Sequence, residues 1–136
     1  MARKKAEEVR YWITRDHTKI PIPELEDSHL LNIIRWMERK MNKSGVFETV
    51  EYSGGCCDGY VDEIRHKGLD ALIQMDYFPI IKEALDRKLV SEDHVLRFLT
   101  KHITIDIAYH AVRSPASTSV KELVRKAILD IVDRYA

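Results

Sequence analysis

Cysteine is nearly absent from this chain of 136 residues, and the two that occur, Cys56 and Cys57, are neighbours. Adjacent cysteines rarely bridge, because a trans peptide does not supply the separation and orientation a disulfide needs. No third cysteine exists, so a disulfide framework is excluded, which fits a reducing compartment. Long apolar runs are lacking as well. No stretch approaches the roughly 18 residues of a membrane span, and the opening MARKKAEE is charged where a secretion signal would be apolar. Both readings point to the cytoplasm and away from a membrane. Charge of one sign is missing too, since 22 basic residues balance 22 acidic ones. Proteins that grip a phosphate backbone usually carry a basic excess, so nucleic acid is disfavoured as the main ligand, although a local basic face stays open. Zero net charge also permits a homo-oligomer, because no net repulsion opposes it.

What is present fits one globular domain over residues 1–136, with residues 1–9 a charged, poorly packed tail. Hydrophobic residues make up 45% and charged residues 32%, enough of the first for a self-sufficient core at this size.

Residues 10–22 read as a β-hairpin. Tyr11 to Thr14 are aromatic or β-branched, Asp16 and His17 occupy the turn, and Pro21 marks the returning strand as an edge. A pair of strands is marginal alone and must pack on helices. Leu30, Ile33, Ile34, Met37 and Met41 form one apolar stripe, predicting a helix from Asp27 to Met41 capped by Asp27 or Ser28 and stopped by the segment Asn42 to Gly45. Val46 to Tyr52 has strand-like composition. Three of the five glycines then fall between Ser53 and Gly59, the mark of a loop. A helix is expected from Tyr60 or Val61 to Gly68, a connection through Met75 to Tyr77, and a helix from Phe78 or Pro79 to Lys88. Ser91 caps a helix whose apolar face runs through Val95, Leu96, Leu99 and Ile103. It is expected to continue to about Val112, although the β-branched run from Ile103 to Ile107 also suits a strand. Ser119 and Glu122 form a capping box for a final amphipathic helix reaching Tyr135.

The segments WITRDHTKIPI (Trp12 to Ile22) and HLLNIIRWMER (His29 to Arg39) resemble a group of small tailed-phage and prophage proteins of unknown function. Those open with W-x-T-[KR]-D-G, followed by I-P-I and H-L-x-N-x-I-R. The stretch YFPIIKEALDRKL from Tyr77 to Leu89 is similar to that group as well, so the likeness covers about half the chain. His17 stands where the group usually has the turn glycine. The resemblance implies a phage context and an accessory or host-interaction role, and it supplies no catalytic residues.

The six histidines lack the close pairing of a zinc site. His94, His102 and His110 recur every eight residues, roughly 12 Å of helical rise, too far apart for one ion. Cys56 or Cys57 in a glycine-rich loop offers a thiol nucleophile, but Asp58 next door would raise a thiol pKa, and cysteine also serves as a small packing residue. The loop lacks the Gly-Lys-Ser/Thr ending of a phosphate-binding P-loop. His29, Asn32 and Arg35, at i, i+3 and i+6, form a polar helix face suited to a partner or a small anion. The alternative is that His29 caps the helix while the other two are merely solvated. Arg35, Arg39, Lys40 and Lys43 make a basic helix end, and the helices around Ser91 admit a helix-turn-helix reading, yet acids interleave throughout.

The sequence therefore predicts an α+β fold, predominantly helical, with an N-terminal β-hairpin packed on four to five helices. The expected function is a phage or prophage accessory protein that binds a host or phage partner, or a small ligand, without catalysis, cofactor or metal. Its expected binding residues are His29, Asn32, Arg35, Cys56, Cys57 and Asp58. A DNA-binding regulator and a small thiol-dependent enzyme are the alternatives.

Overall fold

A computed structural model describes residues 10–54 and 59–136. The fold is α+β and mainly helical, as the sequence predicts. Strands β1 (Tyr11–Ile13) and β2 (Lys19–Pro21) pair antiparallel with Trp12 opposite Ile20. The turn closes through Thr14, whose backbone N–H donates to the Thr18 carbonyl at 2.9 Å and whose hydroxyl accepts from the Thr18 N–H at 3.1 Å. His17 takes φ +65° there, a conformation that glycine adopts without steric cost. Trp12 and Ile20 lean onto the core.

Helix α1 spans Asp27–Ser44 and buries Leu30, Ile33, Ile34, Met37 and Met41, the five residues of the predicted stripe. Its N-cap is Glu26 rather than Asp27 or Ser28, and Asp27 instead meets Arg87 at 3.0 Å. The helix runs through Asn42, Lys43 and Ser44 and stops at Gly45. There φ is +66° and the N–H returns to the Met41 carbonyl at 2.8 Å, the left-handed cap that glycine favours.

The helix expected after Tyr60 is instead a strand. β3 (Val46–Ser53) and β4 (Tyr60–Lys67) pair over eight residues each, from Val46 opposite Lys67 to Ser53 opposite Tyr60. Val61 and Ile64 lie three apart, a spacing that mimics a helix face, but pairing with β3 decides the conformation. The chain then enters α2 (Gly68–Gln74) at a glycine with φ +57°. A Cβ there would sit 3.5 Å from the His102 carbonyl oxygen, an ordinary contact. Gly68→Ala is therefore expected to cost about 1–2 kcal/mol through backbone conformation alone, seen as a lower urea midpoint at unchanged slope.

Helices α3 (Tyr77–Asp86) and α4 (Glu92–His102) follow, the second capped by Ser91, whose hydroxyl accepts from the His94 N–H at 3.1 Å. The expected continuation to Val112 fails at Ile103, which is extended and buried. The β-branched residues after it form neither helix nor strand before α5 (Ala108–Arg113). Helix α6 (Val120–Tyr135) starts at Ser119, whose hydroxyl accepts from the Glu122 N–H at 3.2 Å.

The core draws on α1, α2, α3, α4 and α6, with α3 packed against both α1 and α6. Tyr77 and Phe78 lie at its centre. Tyr77 stands 5.2 Å from the Phe98 ring and Phe78 5.5 Å from the Tyr135 ring. Salt bridges from Lys82 to Asp133 (2.7 Å) and from Arg125 to Glu92 (2.9 Å) fasten α6 to its neighbours.

Candidate functional sites

Of the residues that sequence reasoning singled out, His29, Asn32 and Arg35 lie on α1, the last two exposed. An Arg35 N–H donates to the Asn32 side-chain oxygen at 3.4 Å, while the half-buried His29 ring makes no hydrogen bond among the described residues. The face continues with Trp36, which is about half exposed, and with Arg39, Lys40 and Lys43. The Lys40 ammonium stands 5.9 Å from the ring centres of both Trp36 and Phe47, linking this face to the start of β3. Cys56, Cys57 and Asp58 lie outside the described residues.

The segment that holds those three residues joins β3 to β4, so a ribbon carries it. Among the described residues the ribbon meets the core at its base, through Phe47. There His66 bonds Thr49 at 2.8 Å and also meets Asp70 of α2. Eight residues at about 3.3 Å each give an arm of roughly 26 Å. Residues opposite one another share a face, so Val50 and Val61 lie on one side and Ile64 on the other. Val50 is 51% exposed and Val61 55%, both high for apolar side chains. Glu48, Glu51, Asp62 and Glu63 outnumber Arg65 and Lys67 along the two strands, leaving the arm acidic.

A second polar constellation, between α1 and α4, escaped sequence reasoning. Glu38 follows Met37 on α1 and turns inward, its side chain only 12% exposed. The Tyr77 hydroxyl donates to one carboxylate oxygen at 3.0 Å, and His94 Nε2 lies 2.7 and 3.0 Å from the two oxygens. An ionised carboxylate only accepts, so this Nε2 carries the proton and Nδ1 is the free ring nitrogen. Burial, then the charge of Glu38 and its hydrogen bond, hold the Tyr77 phenol well above the ordinary 10.0. One turn on from Glu38, the Asn42 side-chain oxygen accepts from Lys101 Nζ at 3.3 Å and lies 2.7 Å from His102 Nε2. Burial and the adjacent Lys101 lower the His102 pKa, against the pull of Glu38. Only the pairing of Glu38 with His94 and Tyr77 across three helices reveals this cluster, and no local spacing announces it.

The row of His94, His102 and His110 does not survive as one helix face, because α4 ends at His102 and His110 lies on α5. No group of three or more potential metal ligands occurs among the described residues. No helix among them is long and apolar enough to cross a membrane.

No family model, curated protein or solved structure matches this chain.

Proposed function

We propose that this chain is an accessory protein of a tailed phage or prophage that binds a protein partner through the β3–β4 arm and catalyses no reaction. The observation that carries the reading is the arm itself, which exposes Val50 and Val61 on the face opposite the core-packed Phe47. Apolar side chains set on a projecting element gain burial only when something else covers them. On the valine face Glu48 and Glu63 are balanced by Arg65 and Lys67, which argues for a partly apolar protein surface and against a phosphate backbone, for which this face carries no basic excess. The phage setting rests on the resemblance of residues 12–22, 29–39 and 77–89.

The test compares the wild type with a Val50→Lys/Val61→Lys double variant. Both sites are exposed, so the melting curve should be unchanged, and lysine is tolerated on a strand edge. Affinity capture from phage-infected host lysate is expected to retain a protein with the wild type and lose it with the variant. Equal retention by both proteins would remove the arm from the reading. Salt-sensitive retention of duplex DNA would instead favour a DNA-binding regulator, and an activity silenced by thiol alkylation would favour a thiol enzyme.

A further inference from the structure

Glu38 and Asn42 on α1 face His94, Arg97 and Lys101 on α4 across a shallow depression of about 260 Å³, with Phe98 at its floor. His94, Arg97 and Lys101 recur at i, i+3 and i+7, so they share one face of α4. The hydrogen-bonding capacity of this lining is lopsided. The Glu38 carboxylate is already engaged by Tyr77 and His94, and the Asn42 oxygen by Lys101 and His102. Lysine only donates, so the Asn42 atom beside it is the oxygen, which leaves the amide N–H groups without a partner among the described residues. Arg97 spends one guanidinium nitrogen on Asp93 at 2.9 Å and keeps its other donors. Lys101 has ammonium protons beyond the one directed at Asn42. His94 is backed by the Glu38 carboxylate, which fixes the orientation of its ring. The depression thus offers donors from Asn42, Arg97 and Lys101 while its principal acceptors are already engaged.

We propose that this depression is a binding site for a phosphate group, carried by a small phosphate monoester. Arg97 and Lys101 supply the charge, the amide of Asn42 donates to a further oxygen, and the His94 ring, held by Glu38, lines the site beside them. A phosphate has acceptor oxygens enough to meet all three donors, and charge-assisted bonds of this kind are the strong ones. The site is independent of the arm.

The experiment is a titration of the intact protein with inorganic phosphate and with phenyl phosphate at constant ionic strength, following the His94 ring signals by NMR. The expected result is a saturable shift at His94 that Arg97→Ala and Lys101→Ala each weaken about tenfold, the loss of one charge-assisted bond. Arg97 is 77% exposed and both residues lie on the surface, so the variants should fold, with circular dichroism as the check. Phenyl phosphate binding at least as tightly as the free ion supports a monoester, whereas tighter binding of inorganic phosphate would reject the monoester. A linear, chloride-like drift would overturn the site, as would saturable binding that both variants leave unchanged.

Discussion

Arg87→Ala is expected to destabilise the protein by about 3 kcal/mol, far more than the loss of an ordinary surface cation. Arg87 sits at the end of α3, and its guanidinium is a fan of donors over the turn that precedes α1. It bonds the Pro23 carbonyl at 2.8 Å, the Ile22 carbonyl at 3.3 Å and the Leu25 carbonyl beside them. It also pairs with Asp27 at 3.0 Å and Glu83 at 2.8 Å. Alanine would leave the Pro23 and Leu25 carbonyls without the donor that meets them, the Ile22 carbonyl keeping the Leu25 N–H at 3.1 Å, while α1 loses its anchor to α3. Arg87→Lys keeps the charge but presents a compact ammonium that cannot span the fan, so an intermediate loss is expected. Urea unfolding of the three proteins gives the order directly. A loss below about 0.5 kcal/mol for alanine would mean the fan is merely a surface pair.

Glu38→Leu is expected to cost about 2–3 kcal/mol, although leucine fills similar space, because the fully buried Tyr77 hydroxyl would then have no acceptor. Adding Tyr77→Phe should restore much of that loss, since removing both partners is cheaper than orphaning one. Glu38→Gln keeps an acceptor for the phenol and should be milder than leucine. The same bond sets a pH dependence. The folded state holds the Tyr77 proton more tightly than the unfolded chain does, so the contribution is complete below about pH 10 and is lost as pH rises past that value. Alkaline unfolding should accordingly be less steep in Tyr77→Phe. Identical alkaline limbs in the two proteins would show that other groups govern it.

Much of the helical frame was legible because it is written locally. The stripe from Leu30 to Met41 and the caps at Ser91 and Ser119 each depend on neighbours in sequence and each stands where expected, while α1 runs three residues past Met41 before Gly45 ends it. β4 was not legible, because its residues Tyr60–Lys67 lack clean alternation and become a strand only through β3. The break at Ile103 was missed for the opposite reason. The apolar spacing of α4 runs smoothly into Ile103, while the burial of that extended residue is a tertiary fact. At the candidate sites, Asn32 and Arg35 come together as their spacing allows. Glu38 reads in sequence as one more solvated acid on a charged helix. Its meaning comes from Tyr77 and His94, residues 39 and 56 positions away.

The β3–β4 ribbon has only two strands. Among the described residues each strand therefore turns one edge of backbone N–H and C=O groups toward no other strand. Such a ladder is half of a sheet, and a third strand from any source would complete it. The residues most able to refuse an unwanted copy are the charged ones, because identical ribbons stacked in register would bring Glu48, Glu51, Asp62 and Glu63 against their own kind. The acids of the arm thus act as a guard against fibril-like self-templating. Neutralising them would remove that repulsion.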